Sequence, residues 1–249
     1  MIVTPARILF LILLVGTTLE VLTERTRHAY RLSRWRKTLK DHVIICGFGT
    51  KGRAAAATLL GHGYTPERLV VVDESPSARG KATSMGVTAV AGSATTQHAL
   101  RDAGISDAAA VVVAVDRDDA AVLATLTARE LNPDATVVAA VREDENAHLL
   151  HESGANSVIT SSSSAGRLLG LATTTPDVAE VIEDLLSVGA GLDIAERRVD
   201  ESELGPLAEL RPRNPVIAVA RDGRLLRFDD PEAAELRPGD KLVEIVSRG

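Results

Sequence analysis

The chain has 249 residues, enough for one large domain or for one domain and a smaller one. Hydrophobic residues make up 45% and charged residues 25%, which is typical of a folded globular protein. Aromatic residues make up only 2%, so the core must be built from aliphatic side chains. The net charge of −6 argues against a nucleic-acid partner, because phosphate binding favours a basic surface.

The first 40 residues differ from the rest of the chain. Residues 8–19 form an uncharged apolar run, and a series of arginines and lysines follows from Arg25 to Lys40. Cationic residues just past an apolar segment mark the cytoplasmic side of a membrane. The run is shorter than the roughly 20 apolar residues of a complete span. Residues 1–40 are therefore predicted to be part of a membrane helix and a basic linker, the alternative being a helix that packs on a partner subunit.

From Asp41 onward, aliphatic runs alternate with segments of helical composition. The predicted strands are Val43–Cys46, Leu69–Val72, Thr88–Ala91, Ala110–Val115, Thr136–Val141 and Ser157–Thr160. The predicted helices are Thr50–Leu60, Ser75–Ser84, Thr95–Asp102, Asp118–Leu131 and Asp144–His151. This alternation predicts βαβ units and a parallel sheet. Residues 41–164 are therefore expected to form an α/β domain with a doubly wound sheet of the Rossmann type. The single cysteine, Cys46, ends the first strand, where a buried thiol in a reducing compartment is expected.

The pattern changes after the last of these strands. Ser161–Ser164 is predicted to be a polar break, and residues 165–189 are predicted to be a helical connector. Residues 190–249 are expected to form a smaller α+β domain, rich in strands. Its predicted strands are Leu192–Val199, Val216–Ala220 and Leu242–Val246. Asp222-Gly223 is typical of a hairpin, and residues 237–240 are typical of a tight turn.

A glycine-rich segment lies between the first predicted strand and the helix after it. It consists of Gly47, Phe48, Gly49, Thr50, Lys51 and Gly52. In a GxGxxG segment, the first glycine permits a tight turn and the second lets the backbone approach a pyrophosphate. The third allows close packing of helix on strand, and the N-terminus of that helix favours an anion.

The second predicted strand is followed by Asp73. A carboxylate at this position accepts hydrogen bonds from ribose hydroxyls and repels a 2′-phosphate. The pair of motifs therefore favours NAD(H) or ATP/ADP over NADP(H) as the ligand, and the neighbouring Glu74 is included in the predicted site. The alternative is a structural glycine turn beside an empty pocket.

Three further residues are candidates for the same site. Lys51 is expected either beside the phosphates or in solvent. Asp116, after the fourth strand, either lines the adenosine pocket or caps the next helix. Arg142, after the fifth strand, is either a phosphate or subunit contact or a plain surface arginine.

These motifs resemble a known family, the cytosolic domains that regulate potassium conductance, called RCK or KTN domains (TrkA-N type). The likeness covers most of the chain and includes the segments HVIICGFGTKG, VVVD, AGSATTQHALRDAGISDAAAVVVAV, ARELNPDATVVAAV and GANSVITSSSSAGRLL. The segment that begins ELGPLAELRPRNP resembles the small C-terminal (RCK-C) domain of this family. The start, TPARILFLILLVG, is similar to the end of an inner pore helix.

The resemblance implies a gating-ring subunit that binds NAD(H) or an adenine nucleotide and controls a potassium channel pore or a transporter membrane subunit. It implies a location at the cytoplasmic face of the cell membrane. It also implies a homo-oligomer, a dimer assembled into a ring of eight, in which the connector clasps a neighbour. Two departures stand out. The block Gly92–Thr95 lacks the acidic residue that the family usually has there, and no filter sequence of the TVGYG kind is present. A pore is therefore expected upstream of Met1 or on a separate protein.

Two other functions compete with this interpretation. An NAD-dependent oxidoreductase would need an acid or base placed over the nicotinamide. The region after residue 190 contains no histidine, so no catalytic residue is predicted. His148 and His151 have a spacing that a metal cluster could use, but a solvated helix face is favoured and no metal site is predicted. The second competitor is a structural interaction module that has lost its ligand.

Overall fold

The computed structural model describes residues 39–187, 191–210 and 212–248. The predicted membrane helix and nearly all of the basic linker therefore lie outside the described residues. In the part of the chain that is described, no helix is both long enough and apolar enough to cross a membrane. The contacts divide the chain into two compact units. The first contains the residues up to Ala56 and Tyr64–Ser162, and the second contains Ala57–Gly63 and the residues from Ser163 onward.

The first unit is built on a six-stranded parallel sheet. Its strands are β1 His42–Cys46, β2 Leu69–Asp73, β3 Thr88–Ala91, β4 Ala108–Val113, β5 Thr136–Val141 and β6 Ser157–Thr160. The intervening helices are α1 Thr50–Gly61, α2 Pro76–Ser84, α3 Gln97–Asp102, α4 Asp118–Leu131 and α5 Ala147–Glu152. The strand order β3-β2-β1-β4-β5-β6 is that of a Rossmann sheet, whose direction of winding reverses between β1 and β4. The predicted doubly wound α/β fold is confirmed.

The core of this sheet is aliphatic, as the composition requires. All five residues of β1 are buried, and so are the first four of β2. Burial on both faces is the reason that these strands read as continuous apolar runs. Cys46 is fully buried, and this burial raises the pKa of its thiol to about 12.

Several boundaries differ from the sequence prediction by one or two residues, as at α3, which begins at Gln97 rather than Thr95, and two differences have a clear cause. Strand β4 runs over Ala108–Val113 rather than Ala110–Val115. The run AAAVVVAV is uniformly apolar, so it does not mark where pairing with β1 begins, which is at Ala108 opposite His42. The helix predicted over Asp144–His151 is a 3₁₀ turn at Asp144–Asn146 followed by α5.

The predicted polar break at Ser161–Ser164 is wrong. These serines form the first turn of α6, Ser161–Thr174, which is followed by α7, Pro176–Leu186. Serine is favoured at helix N-termini, where its hydroxyl can bond to the backbone. Pro176 separates the two helices, because proline is accepted in the first turn of a helix but not in its interior.

The second unit contains an antiparallel sheet. Its strands are β7 Gly191–Arg198, β9 Val216–Arg221, β10 Arg224–Arg227 and β12 Lys241–Arg248, in the order β10-β9-β12-β7. A separate two-stranded sheet pairs β8 Gly205–Pro206 with β11 Glu235–Leu236. The predicted hairpin at Asp222-Gly223 joins β9 to β10, and both residues have positive φ, as a type I′ turn requires. The prediction missed β10, β8 and β11, which are short.

A buried ion pair ties this hairpin to the turn at residues 237–240. The Arg221 guanidinium donates to both carboxylate oxygens of Asp240, at 2.8 and 2.6 Å, and to the carbonyls of Glu232 and Glu235. Only 11% of the Arg221 side chain and 2% of the Asp240 side chain are exposed. The hydrogen bond from Arg221 lowers the pKa of Asp240 below its ordinary value.

We expect Arg221→Ala to reduce the free energy of unfolding by about 3 kcal/mol, because it leaves the Asp240 carboxylate buried without its cation. Arg224→Ala is the matched control, since Arg224 pairs with Glu232 at the surface and should cost less than about 1 kcal/mol. Urea titration followed by circular dichroism measures both. The pKa of Asp240 is lower in the folded state than in the unfolded state. The ion pair's contribution to the free energy of unfolding is therefore complete above the unfolded pKa and is lost as the pH falls from there through the folded pKa. Equal losses in the two variants would contradict the prediction.

Candidate functional site

A cleft of about 230 Å³ lies at the carboxyl edge of the parallel sheet, at the ends of the neighbouring strands β1 and β4, between which the direction of winding reverses. Open α/β sheets bind their ligands at this switch point. The cleft is lined by Gly47, Gly49, Val72, Asp73, Glu74, Gly92, Ser93, Ala94, Thr95, Ala114, Val115, Asp116, Arg117 and Ala120. Five of the predicted site residues are among them: Gly47, Gly49, Asp73, Glu74 and Asp116.

The glycines of the segment at 47–52 occupy three different environments. Gly47 has φ of +88°, and its N–H donates to the Val72 carbonyl at 2.9 Å. A Cβ on Gly49 would meet nothing within 4 Å except the Asp116 carboxylate, so this backbone is open to the cleft. A Cβ on Gly52 would lie 2.0 Å from the Gly47 carbonyl oxygen, which shows how closely α1 packs on β1. These are the environments that the motif predicts for a tight turn, an approach to phosphate and a close packing contact.

The two other residues at the start of the segment differ in exposure. Phe48 is fully buried and anchors the loop in the core, whereas Thr50 is exposed and is the first residue of α1. The first N–H groups of a helix have no partner within it. The glycine loop, which lines the cleft at Gly47 and Gly49, therefore leads directly into the N-terminus of α1.

Asp73 lies at the end of β2 and holds the glycine loop. Its Oδ2 accepts a hydrogen bond from the Phe48 N–H at 2.6 Å, and its Oδ1 accepts one from the Ser75 N–H at 2.7 Å. A carboxylate has about four acceptor positions, so two remain for a ligand. The sequence prediction assigned only the ligand contact. The brace on Phe48 is invisible in the sequence, because it depends on the distance between two strand ends.

The structure gives Lys51 a partner within the protein, and its predicted contact with phosphate stays a prediction. Its ammonium donates to the Val115 carbonyl at 2.7 Å and does not line the cleft. It thereby connects α1 to the segment that follows β4. It is also close enough to Asp118 to favour the charged form of that carboxylate.

Asp116 lines the cleft rather than capping the next helix. Helix α4 begins at Asp118, and the residue at its N-cap position, Arg117, makes no side-chain cap. The carboxylate of Asp118 instead links the start of α4 to the segment after β5. It accepts hydrogen bonds from the N–H groups of Arg142 and Glu143 and from the Asn146 side chain. Burial would raise the Asp118 pKa, but these hydrogen bonds outweigh it and lower the pKa.

The structure does not bring Arg142 to the cleft. Its guanidinium is 70% exposed and lies 3.4 Å from the Glu143 carboxylate. Arg142 follows β5, which is one strand farther from the switch point than β4. A ligand or subunit contact of this arginine stays a prediction.

The sequence prediction did not assign the residues after β3 to the site. Gly92, Ser93, Ala94 and Thr95 line the cleft, and the hydroxyls of Ser93 and Thr95 are 2.9 Å apart. Their position after a strand of the parallel sheet was the available signal, because all carboxyl ends lie at one edge.

The two histidines of α5 whose spacing a metal cluster could use do not form a metal site with other described residues. Both His148 and His151 are exposed, and His148 Nδ1 lies 2.7 Å from the Glu145 carbonyl oxygen. In the described ranges, no group of three or more His, Cys, Asp or Glu side chains is arranged to hold a metal ion.

Residues 43–161 match the family model of the TrkA-N domain. This segment is a TrkA-N domain. The predicted resemblance is confirmed for it, and the same match covers the glycine loop, Asp73 and the rest of the cleft.

Several of the similar curated proteins are potassium channel or potassium uptake proteins. Potassium channel protein 1 of Methanocaldococcus jannaschii is 26% identical over 168 residues, which are 68% of this chain and 50% of that protein. The Trk system potassium uptake protein TrkA of Streptomyces coelicolor is 30% identical over 129 residues, which are 51% of this chain and 56% of that protein. The chain spans about half or less of the length of the curated relatives that it matches.

A solved structure extends the likeness in fold beyond the TrkA-N domain. The human SLO3 gating ring covers 83% of this chain with a TM-score of 0.62 and 15% identity, and this chain covers 44% of it. At this identity the likeness concerns the fold alone.

The contact between α1 and β1 makes a prediction about Gly52. We expect Gly52→Ala to reduce the free energy of unfolding by about 1–3 kcal/mol, because the added methyl group would overlap the Gly47 carbonyl oxygen. Gly80→Ala is the matched control. A Cβ at Gly80 in α2 meets nothing within 4 Å, and alanine is the better helix former, so this variant should be neutral or more stable. Thermal melting compares the two, and equal melting temperatures would contradict the close contact.

Proposed function

We propose that this chain is a regulatory module that binds a nucleotide and controls potassium transport across a membrane. The ligand is NAD(H) or an adenine nucleotide, and the partner is a potassium channel pore or the membrane subunit of a transporter. The proposal is supported by one observation above all: the carboxylate of Asp73 and the glycine loop meet at the switch point of a TrkA-N domain. The potassium channel and potassium uptake proteins among the relatives support the transport role.

The residues of the cleft fit a nucleotide. The backbone of Gly49 is open to the cleft, where a pyrophosphate can approach the start of α1. Asp73 keeps acceptor positions for the ribose hydroxyls of the adenosine half. Its charge disfavours a 2′-phosphate, so NADP(H) is the weaker ligand. In this proposal Asp73 has a double role, since it holds both the loop and the sugar.

We propose a binding role without hydride transfer. When bound, a nicotinamide supplies hydride chemistry only where the protein also places an acid or base at the substrate. Among the described residues that line the cleft, the ionisable side chains are three carboxylates and Arg117, and none is a histidine, lysine, cysteine or tyrosine. We favour binding alone over the oxidoreductase alternative, because the relatives include potassium channel and potassium uptake proteins.

We further propose that the module works as a homo-oligomer, in pairs that assemble into a ring of eight. Helices α6 and α7 border a groove of about 580 Å³ lined mostly by apolar side chains, among them Leu168, Leu169 and Pro176, with Glu180 and Glu183 also in the lining. Leu169, which lines this groove, is 71% exposed, and contiguous exposed apolar surface is typical of association sites. A second copy of the connector is the proposed occupant of this groove.

The domain organisation belongs to the same proposal. Residues 41–164 are the nucleotide-binding domain, residues 165–189 the connector, and residues 190–249 an RCK-C domain. Residues 1–40 would link the module to the membrane, with the module on the cytoplasmic side. A ligand then acts by binding one arrangement of the oligomer more tightly than another.

We expect Asp73→Asn to weaken binding of NAD⁺ about tenfold, because it removes a charged acceptor from the ribose site. The same variant should bind NADP⁺ better relative to NAD⁺, because it removes the repulsion of the 2′-phosphate. Calorimetric titration of both nucleotides gives this ratio. If Asp73 only braced the loop, both affinities would fall equally. Unchanged affinity for NAD⁺ would remove Asp73 from the site.

We expect Leu169→Glu to reduce self-association at least tenfold, because a charge placed in an apolar interface must be desolvated without a partner. Leu225→Glu is the matched control, since Leu225 is 67% exposed but lies on β10. Sedimentation velocity over a concentration series measures both variants. A parent chain that is monomeric throughout, or two variants that dissociate equally, would contradict the proposed interface.

A further inference from the structure

We propose that the carboxylate of Asp116 makes the cleft select NAD⁺ over NADH and over ADP or ATP. This inference rests on the proposed function and specifies its ligand. It assigns to Asp116 a role in ligand specificity, through charge, that is separate from the contacts of Asp73.

The order of the strands gives Asp116 its place relative to a bound dinucleotide. The sheet runs β2-β1-β4 across the switch point. Asp73, which would hold the adenosine ribose, follows β2, and the glycine loop, which would hold the pyrophosphate, follows β1. The other half of a dinucleotide must therefore extend toward the end of β4. Asp116 is the acidic residue among those that line the cleft there, the others being Ala114, Val115, Arg117 and Ala120.

The glycine loop places the same carboxylate beside the phosphates. Asp116 Oδ1 lies 3.6 Å from the position that a Cβ on Gly49 would occupy. Gly49 is the glycine at which the backbone approaches the pyrophosphate. Asp116 is thus close to where phosphate charge accumulates as well as to the second nucleoside.

The basic groups nearby have partners within the protein. Arg79 donates to the backbone carbonyls of Asp73 and Glu74. Lys51 donates its ammonium to the Val115 carbonyl and stands close to Asp118. Arg117, the one basic residue among the described residues that line the cleft, forms an ion pair with Asp119. Three carboxylates also line the cleft, those of Asp73, Glu74 and Asp116. The local potential therefore disfavours every additional negative charge on the ligand.

The candidate ligands differ in the charges that Asp116 would face. NAD⁺ and NADH share a pyrophosphate, but only NAD⁺ carries the positive pyridinium ring. ADP and ATP carry a terminal phosphate instead of a second nucleoside, and hence more negative charge. For an exposed carboxylate about 4 Å from one unit charge, the Coulomb interaction in water is about 1 kcal/mol, which corresponds to roughly fivefold in affinity.

The test is calorimetric titration of the full chain with NAD⁺, NADH and ADP at low ionic strength, in the presence of EDTA. The parent is expected to prefer NAD⁺ over NADH about fivefold, and to bind ADP more weakly than NAD⁺. Asp116→Asn keeps the size of the side chain and removes the charge. It should abolish the preference for NAD⁺ over NADH and tighten ADP binding about fivefold.

Asp134→Asn is the matched control for net charge. Asp134 is exposed and precedes β5, at the sheet edge opposite the cleft, so this variant should keep the parent's ratios. Raising the salt concentration should shrink the preference in the parent but leave Asp116→Asn unchanged, because exposed charges are screened. Thermal melting confirms that both variants fold.

The outcomes separate this inference from the proposed function. If nucleotides bind but Asp116→Asn keeps the parent's preference, the inference is overturned and the regulatory site stands. If ATP with Mg²⁺ binds the parent as tightly as NAD⁺, a bridging cation cancels the charge effect and the inference is also overturned. If no nucleotide binds the parent, the proposed function fails and the inference fails with it.

Discussion

The close contact between helix α1 and strand β1 is the constraint on which the site depends. At Gly52 the helix lies so near the Gly47 carbonyl that any side chain would overlap it. This contact fixes the direction of α1 and aims its N-terminus at the carboxyl edge of the sheet. It also sets the path of the loop, which brings the Phe48 N–H within 2.6 Å of Asp73. The absence of a side chain at Gly52 thus allows the helix, the glycine loop and the carboxylate of Asp73 to lie close together, and the cleft is formed beside them.

The sequence predicted those features that depend on a residue type with a specific physical property at a specific position. Glycines at 47, 49 and 52 between an apolar run and a helix predicted the loop, and alternating aliphatic and helical segments predicted the sheet. It failed at element ends in uniform segments. The run of alanines and valines before Asp116 does not mark where β4 begins, and the serines after residue 160 read equally as a break or as a helix N-terminus. In both cases pairing or packing with a distant strand decides, and the sequence does not display it.

The sequence indicated which charged side chains lie near the cleft, but it did not indicate the hydrogen bonds that they make within the protein. Asp73 was expected to face a ligand, and its carboxylate also holds the Phe48 N–H. Lys51 was expected beside the phosphates or in solvent, and its bond to the Val115 carbonyl is a further contact that the sequence did not indicate. Charged side chains near a glycine loop have several partners within reach, and the choice among them depends on distances of less than a few ångströms. Such distances follow from the fold and not from the spacing of residues along the chain.

The contacts around the cleft also bear on how a ligand could act on the rest of the protein. Lys51 joins the start of α1 to Val115 in the segment that follows β4. Asp118, three residues after Val115, accepts a hydrogen bond from the N–H of Arg142 after β5. The neighbouring carbonyl, that of Val141, accepts a hydrogen bond from the Ser161 hydroxyl at the first residue of α6. The glycine loop is therefore connected, strand end by strand end, to the helix that begins the connector. If the proposed function holds, a bound nucleotide would not need to move the connector directly. It needs only to stabilise one arrangement of these polar contacts over another, and the difference in its affinity for the two arrangements sets the size of the response.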